Sequence, residues 1–474
     1  MEPIIGRDAE IRKLKALADS PRAEFVALYG RRRVGKTFLV NQMFEGKIAF
    51  RMTGVIEGSL KDQFTAFADA MDDFGYDMPQ QPKDWMEAFI MLKKALKNVV
   101  CRQERCIIFI DELPAMDAEN SNVAGAVGYF WNHWASLHDN ILFIVCGSAT
   151  SWMITNVIDS KGGLHDRLTE EMPIHPFPLK EVEAYLETHH FLWSRQMILQ
   201  TYMVFGGIPY YLSLLDKEES LVQNIDRLFF SRDTMMRREF RRLFNTLYKN
   251  PGRYIEIIKS LSKSRKGMTR GQLAKELKCA NNGHLGNQLE DLVYCDLIRK
   301  NIVREKEIKS KDAIYQLSDF FCLFYLTFID RAEAETNYWA HHINTPEINT
   351  WMGLTYEKIC MAHIPQIKQT LRIDGISTLN YSWRSKTSTP AVQIDIIIER
   401  ADNIVNVCEV KYAAEEYELD KDEFERINKR MNTFIKETGL RHTPWSTMIT
   451  TYGLAKGKYS AMIQSQVTLD ALFG

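Results

Sequence analysis

The sequence predicts an α/β protein that begins with a doubly wound parallel sheet over residues 1–175. Three observations predict this fold class. Residues 25–29, 106–110 and 141–146 are wholly apolar runs of strand length, helix-like segments alternate with them, and glycine or a polar residue follows each run. Strands that are apolar throughout are typical of a parallel sheet covered by helices on both faces. Ligands of such sheets bind outside the carboxyl ends of the strands, so we expect the chemistry there.

Composition places the chain among ordinary globular proteins. It has 474 residues, of which 45% are hydrophobic and 26% are charged. This length exceeds what one hydrophobic core serves, so several domains are expected. The 60 Lys and Arg residues nearly cancel the 61 Asp and Glu residues. A surface that wraps nucleic acid is therefore not indicated, and any basic surface must be local.

Targeting signals and cysteine chemistry are not evident. The first residues lack the basic and then apolar arrangement of a signal peptide, and no apolar run reaches the roughly 18 residues of a membrane span. The eight cysteines are scattered without a C-x-x-C pair, which indicates reduced core residues rather than zinc ligands or disulfides. We therefore expect a cytoplasmic location and no membrane association.

A phosphate-binding loop, or P-loop, follows the first predicted strand. Gly30 and Gly35 permit a tight bend whose backbone N–H groups face an anion at the start of a helix. Lys36 would reach the β- and γ-phosphates of ATP, and the Thr37 hydroxyl would ligate Mg²⁺. The residues predicted to bind ATP here are Gly30, Arg31, Arg32, Arg33, Val34, Gly35, Lys36, Thr37 and Phe38.

Two carboxylates, Asp111 and Glu112, end the second apolar run. Downstream of a P-loop, this pair predicts ATP hydrolysis. Asp111 would lie near the Mg²⁺ held by Thr37, and Glu112 would orient and polarise the attacking water.

Two further residues are candidates for the γ-phosphate region, because charge spreads over its oxygens in the transition state. Ser148 follows the strand at 141–146 and could contact the attacking water. Arg167 is a candidate arginine finger or sensor. The alternative for Arg167 is a salt-bridged arginine that precedes the next domain.

The middle of the chain predicts two smaller domains. Helix-like stretches over residues 176–248 predict a helical lid, interrupted at 206–209 by a Gly-Gly-Ile-Pro break. Residues 249–335 predict a winged-helix domain, with a capping box at Thr269 and two wing strands at 297–303 and 314–317. Winged helices bind DNA or pack against other protein domains, and both roles stay open.

The last predicted domain, residues 345–474, carries a second set of charged residues. Asp395 interrupts an apolar strand, while Glu409 and Lys411 stand two apart on the next strand and so leave the same face. Two carboxylates that share a divalent cation, with a lysine beside them, suit phosphodiester cleavage. Glu357, on a preceding helix, could join Asp395 and Glu409 as a ligand of Mg²⁺ or Mn²⁺. The alternative is a buried ion pair of Lys411 with one carboxylate.

Both ends of the chain resemble known families. The segments at residues 5–10, 29–37, 109–112, 146–148 and 206–209 resemble the AAA-type ATPases of archaea and bacteria within the signal-transducing STAND group. This resemblance implies that Gly6 and Arg7 lie near the nucleotide base and that Pro209 approaches the nucleotide.

Residues 350–415 look like the PD-(D/E)xK, or restriction-endonuclease-like, α/β nuclease fold. Two departures stand out: Ile394 replaces the proline of the motif, and Gln393 stands where relatives often carry another acid.

The sequence therefore predicts an ATPase whose nucleotide state controls a C-terminal nuclease-like, DNA-binding domain. The alternative is a regulatory switch whose C-terminal domain has lost catalysis and binds a protein partner. A third hypothesis is a ring-forming motor, and oligomerisation stays open.

Overall fold

The computed structural model describes most of the chain, and all structural statements concern that part. The described residues are 3–77, 80–100, 104–118, 121–160, 164, 166–232, 234–248, 250–265, 267–301, 313–330, 335–385, 387–388 and 392–474. None of the described helices is long and apolar enough to cross a membrane.

Helices and strands alternate in the first part of the chain and again in the last. The described helices are α1 (Asp8–Ala18), α2 (Lys36–Met43), α3 (Leu60–Asp73), α4 (Trp85–Val100), α5 (Leu113–Met116), α6 (Val123–His133), α7 (Thr150–Met153), α8 (Leu179–Thr188), α9 (Arg195–Phe205), α10 (Pro209–Leu212), α11 (Leu221–Ile225), α12 (Met235–Leu247), α13 (Pro251–Ser262), α14 (Arg270–Glu276), α15 (Gly283–Tyr294), α16 (Phe320–Phe324), α17 (Tyr338–His342), α18 (Pro346–Ala362), α19 (Ile364–Thr370) and α20 (Lys421–Thr438). The described strands are β1 (Glu24–Tyr29), β2 (Ile48–Thr53), β3 (Cys106–Asp111), β4 (Ile141–Gly147), β5 (Glu170–Pro173), β6 (Met268–Thr269), β7 (Ile298–Asn301), β8 (Ile314–Leu317), β9 (Thr378–Arg384), β10 (Gln393–Arg400), β11 (Ile404–Lys411), β12 (Thr443–Thr450) and β13 (Ser465–Val467).

The described chain divides into two compact units. One comprises Met1–Pro176, Arg241–Gly252 and Glu290–Asp296, and the other comprises Phe177–Phe240, Arg253–Leu289 and Leu297–Gly474.

The first unit contains a parallel sheet of five strands in the order β2-β3-β4-β1-β5. Strand β4 lies between β1 and β3. Its register with β1 runs from Glu24↔Leu142 to Tyr29↔Gly147. Strands β3 and β4 are buried along their whole length. The predicted α/β class with a parallel sheet is therefore confirmed. The order brings the carboxyl ends of β1, β4 and β3 together at one edge, in that sequence across the sheet.

Aromatic residues join this sheet to the helices that cover it. The ring of Phe25 on β1 lies 4.9 Å from that of Phe143 on β4 and 5.0 Å from that of Trp131 on α6. Trp85 of α4 is buried, and its indole N–H donates to the carbonyl of Met116 at 3.0 Å. Burial of such large rings contributes most of the hydrophobic stabilisation and fixes the strand ends relative to one another.

A small antiparallel sheet in the second unit has the order β6-β8-β7. The capping box predicted at Thr269 is present, with Gln272 as its partner. Strand β7 pairs with β8 from Ile298↔Leu317 to Asn301↔Ile314. Residues 302 and 303 of the predicted wing strand lie outside the described residues. The identity of this region as a winged helix stays a prediction.

The last sheet is mixed, in the order β13-β12-β11-β10-β9. Strands β9, β10 and β11 pair antiparallel, whereas β11, β12 and β13 run parallel. Helix α20 contributes to its core through Phe434, whose ring lies 5.2 Å from that of Trp383 on β9. The two predicted strands that carry Asp395 and Glu409 are β10 and β11. Their register pairs Ile396 with Cys408, so Asp395 and Glu409 stand one step beyond this pair.

Candidate functional site

The P-loop connects β1 to α2 and requires glycine at its first position. Gly30 has φ of 141°, and a Cβ added there would lie 2.3 Å from the carbonyl oxygen of Ile174. Gly35 caps α2 with φ of 91°. Both values favour glycine. The loop thus delivers the free N–H groups of the first turn of α2 to the carboxyl edge of the sheet, where an anion binds favourably.

Lys36 lies inside this loop. Its side chain is buried, and its ammonium group donates to the carbonyl oxygens of Gly30 at 2.7 Å and of Arg31 at 2.9 Å. These carbonyls keep a buried cation hydrogen-bonded. Bound phosphate oxygens would offer the ammonium group stronger, charge-assisted acceptors at the same loop.

Thr37 and Asp111 are in direct contact, although 74 positions separate them. The Thr37 hydroxyl donates to Oδ2 of Asp111 at 2.7 Å, and Oδ1 of Asp111 accepts from the backbone N–H of Glu112 at 3.0 Å. A hydroxyl and a carboxylate oxygen, placed at the start of a helix, are ligands that fit Mg²⁺. The structure therefore brings together the two residues that were predicted to hold the metal ion.

Glu112 lies beside Ser148 at the neighbouring strand end. Oε2 of Glu112 accepts from the backbone N–H of Ser148 at 3.1 Å and from its hydroxyl at 2.8 Å. Glu112 has a left-handed backbone with φ of 48° and begins α5. Nearby, burial raises the pKa of the Cys146 thiol well above its usual value, and the charge of Asp111 adds to this. The strand ends therefore form an enclosed, electronegative edge.

Arginines surround the P-loop. Arg7 is buried, and its guanidinium donates to the carbonyl of Val34 at 3.1 Å; Gly6 before it has φ of 64°. Arg32 donates to the Thr246 hydroxyl at 2.9 Å. The predicted Gly6-Arg7 segment thus contacts the loop. The remaining predicted loop residues differ in exposure: Arg31 and Val34 are buried, whereas Arg33 and Phe38 are half-buried.

Arg167 and Pro209 are less tied to the site. The Arg167 side chain is exposed, and its backbone N–H donates to the carbonyl of Leu164 at 3.1 Å. Gly162, Gly163 and His165, which precede Arg167 in the sequence, lie outside the described residues. Pro209 opens α10 in the second unit. The roles of Arg167 and Pro209 in nucleotide binding stay predictions.

A second group of charged residues lies on the C-terminal sheet. Oε1 of Glu409 is 3.0 Å from the ammonium of Lys411, and its Oε2 accepts from the guanidinium of Arg430 on α20. Lys411 also lies 2.9 Å from Glu423 of α20. Both oxygens of Glu409 are therefore held by cations.

The carboxylates of this group influence one another. Burial, with the charges of Asp395 and Glu409, raises the pKa of Glu357 to about 8. Burial and the charge of Glu409 raise the pKa of Asp395 to about 6. Burial opposes the charge on Lys411, yet its pKa is raised by Glu409 and Glu423. The three predicted metal ligands thus share one desolvated neighbourhood.

This neighbourhood is not arranged as a finished metal site. Among the described residues, no group of three or more His, Cys, Asp or Glu side chains is positioned to hold a metal ion. Glu409 is instead engaged by Lys411 and Arg430. Sequence reasoning missed Glu423 and Arg430. Their seven-residue spacing on one amphipathic helix was the available signal, because it places both on the same face.

Comparison with known proteins shows what the first part of the chain is similar to. Residues 4–215 match the model of a family described as an ATPase domain predominantly from Archaea. This similarity to an archaeal-type ATPase domain supports ATP binding and hydrolysis, with Mg²⁺ as the usual companion of ATP.

Relatives were found among curated proteins and solved structures. A Methanocaldococcus jannaschii protein named "Uncharacterized protein MJECL04" is 25% identical over 378 residues, which cover 77% of this chain and 78% of the relative. The Walker-type ATPase of Pyrococcus abyssi is 16% identical, with a TM-score of 0.48, and the match covers 69% of this chain and 96% of that one. The ORC2 protein of Aeropyrum pernix is 14% identical, with a TM-score of 0.41, and the match covers 69% of this chain and 94% of the ORC2 protein.

Proposed function

We propose that the archaeal-type ATPase domain hydrolyses ATP and that its nucleotide state controls a C-terminal nuclease-like, DNA-binding domain. The observation that carries the first half is the continuous hydrogen-bonded series from Thr37 through Asp111 and Glu112 to Ser148. It links the start of the phosphate-binding helix to two neighbouring strand ends.

Each residue of this series has a distinct part in the proposed reaction. Lys36 exchanges its carbonyl partners for phosphate oxygens and so stabilises their negative charge. Thr37 and Asp111 would hold Mg²⁺, which would neutralise charge on the phosphates. Glu112 orients the attacking water and accepts its proton, and Ser148 fixes the carboxylate of Glu112.

The second half concerns Asp395, Glu409 and Lys411, with Glu357 nearby. Three observations support it. Asp395 and Glu409 lie opposite each other on neighbouring strands, one step beyond the Ile396↔Cys408 pair. Lys411 is 3.0 Å from Glu409. The charges of Asp395 and Glu409 raise the pKa of Glu357. Acids that repel one another in this way would gain from a shared divalent cation, which Asp395, Glu409 and Glu357 would hold and which would supply Lewis-acid chemistry to phosphodiester cleavage.

The proposed regulation runs from the P-loop to the rest of the chain. Arg32 of the loop donates to Thr246 of α12 at 2.9 Å. Bound nucleotide phosphates would compete with Thr246 for this guanidinium. Nucleotide binding would therefore break the hydrogen bond between Arg32 and α12. The helical lid and the winged helix are the proposed elements that transmit this change.

Cleavage assays test the C-terminal half. Labelled linear, branched and single-stranded DNA is incubated with Mg²⁺ or Mn²⁺ and either the native chain or Asp395→Asn. Asp374→Asn, an exposed aspartate before β9, is the matched control. Cleavage that persists in the control and disappears in Asp395→Asn supports the proposal, whereas cleavage unaffected by Asp395→Asn rejects this site.

A second candidate function is a regulatory switch whose C-terminal domain binds a partner without cleaving DNA. The cation contacts at both oxygens of Glu409 favour it, because a carboxylate engaged by Lys411 and Arg430 has less capacity for a metal ion. Absence of cleavage on every DNA substrate, with ATP hydrolysis intact, is the result that selects this alternative.

A further inference from the structure

Arg299 on β7 is a cation that lacks a carboxylate partner among the described residues. Its Nη2 lies 3.4 Å from Oε1 of Gln316, but the same oxygen accepts a shorter bond of 2.8 Å from Asn301. Its Nε is buried without a hydrogen-bond partner. Burial lowers the pKa of Arg299 to about 10. An enclosed guanidinium with so little compensation is costly, and an anionic ligand would offset that cost.

Lys358 on α18 is a second cation at the same place. Its ammonium donates to the carbonyl of Leu317 at 3.2 Å, and Leu317 directly follows Gln316 on β8. The like charge of Arg299 acts on the Lys358 ammonium, so the two cations lie near each other. Two cations thus converge on one strand end. Both residues are half-buried and keep part of their surface exposed to solvent.

This basic pair borders the acidic neighbourhood of the C-terminal sheet. Lys358 directly follows Glu357 on α18, and the charge of the exposed Arg265 also acts on Glu357. Basic and acidic groups therefore alternate over a short distance. A strand of nucleic acid presents phosphates at a regular spacing, and cations beside a group of acids can hold one backbone phosphate by charge.

We propose that Arg299 and Lys358 form a binding site for a backbone phosphate of nucleic acid, next to the acids Glu357, Asp395 and Glu409. This inference rests on the proposed function, because it supplies the DNA contact that the nuclease-like domain needs. Arginine suits the site because its planar guanidinium group donates two parallel hydrogen bonds to phosphate oxygens, and lysine adds a point charge.

Binding is measured without divalent metal, so that cleavage cannot occur. The fluorescence anisotropy of labelled duplex DNA is followed with full-length Arg299→Gln, Lys358→Met and, as the control, Lys217→Gln, an exposed lysine after α10. Each site variant is expected to weaken binding by about fivefold to tenfold and to reduce the salt slope by about one, whereas the control leaves both unchanged. Removal of a desolvated cation should not lower the melting temperature, so a folded variant is expected.

A second arm separates nucleic-acid phosphate from free phosphate. In the Lys36→Ala background, which removes the P-loop contribution, thermal protection by inorganic phosphate is compared with and without Arg299→Gln. Loss of protection together with loss of DNA affinity supports the proposal. Loss of protection with unchanged DNA affinity, or no change in either, overturns it. If the site variants bind DNA more weakly but the native chain does not cleave DNA, the phosphate-binding site is supported and only the nuclease activity is rejected.

Discussion

Ser148 donates to a single oxygen of Glu112 twice, through its backbone N–H at 3.1 Å and through its hydroxyl at 2.8 Å. The contact joins the carboxyl ends of β3 and β4, which are neighbours in the sheet. It fixes one oxygen of the carboxylate and leaves the other for a water molecule. In this arrangement Ser148 positions the proposed general base rather than acting as a base itself.

Ser148→Ala is therefore expected to reduce kcat for ATP hydrolysis by about tenfold, with little change in ATP affinity, because the backbone bond to Glu112 survives. Steady-state phosphate release measures this effect. Ser213→Ala, an exposed serine after α10, is the control. A variant that hydrolyses ATP as fast as the native chain would show that the hydroxyl contact has no part in positioning Glu112.

Lys36→Ala should weaken ATP binding by about 100-fold, since it removes the buried ammonium that Gly30 and Arg31 hold inside the loop. Equilibrium binding of a fluorescent ATP analogue reports the change. Lys47→Ala, an exposed lysine between α2 and β2, should bind as the native chain does. Unchanged affinity in Lys36→Ala would contradict the assignment of the P-loop.

Glu357→Gln should change how stability depends on pH. The pKa of Glu357 is raised from 4.5 to about 8, so the folded state retains a proton that the unfolded state has lost. This contribution to stability is complete below about pH 4.5 and is lost as the pH rises towards 8. Glutamine cannot ionise. The melting temperature of the variant relative to the native chain should therefore rise by at least about 2 °C between pH 5 and 8.5.

The matched control for that series is Glu415→Gln, at an exposed position after β11. Its melting curve should follow the native one at every pH. If the melting temperature of Glu357→Gln also followed that of the native chain at every pH, Glu357 would not be the desolvated acid described above.

Arg430→Gln should increase the affinity of the C-terminal acids for a divalent cation. The guanidinium of Arg430 occupies one oxygen of Glu409, and its removal leaves that oxygen free in a more negative environment. An increase of about tenfold, or about 1.4 kcal/mol, is expected in Mn²⁺ affinity measured by calorimetry without nucleotide. Arg441→Gln, an exposed arginine before β12, is the control. Unchanged or weaker Mn²⁺ binding would mean that Arg430 does not compete with a cation.

The parallel sheet could be predicted because its central strands β1, β3 and β4 contain the wholly apolar runs 25–29, 106–110 and 141–146, which are typical of strands buried on both faces. Strand β2 was not predicted, because Arg51 faces solvent in its middle. Strand β5 was missed because Glu-Glu-Met-Pro is polar and short, and an edge strand needs no apolar face.

The residues of the candidate sites also divide into those that a local sequence pattern indicates and those that only the fold brings together. Local patterns indicated Lys36, Asp111 and Asp395, because a motif or a charge in an apolar strand marks each. The partners Arg430 and Glu423 come from a helix that meets the sheet only in three dimensions. Of the two cations that hold Glu409, only Lys411 stands close to it in the sequence, whereas Arg430 reaches it through the fold.

The central claim is that nucleotide bound at the P-loop controls DNA cleavage at the C-terminal acids. The most direct measurement is the rate of Mn²⁺-dependent DNA cleavage by the native chain and by Lys36→Ala, each with and without ATP, with Asp395→Asn as the baseline. We expect a rate that changes with ATP in the native chain, does not respond to ATP in Lys36→Ala and falls to the baseline in Asp395→Asn. Cleavage that ignores ATP in the native chain, or that equals the Asp395→Asn baseline in every condition, would contradict it.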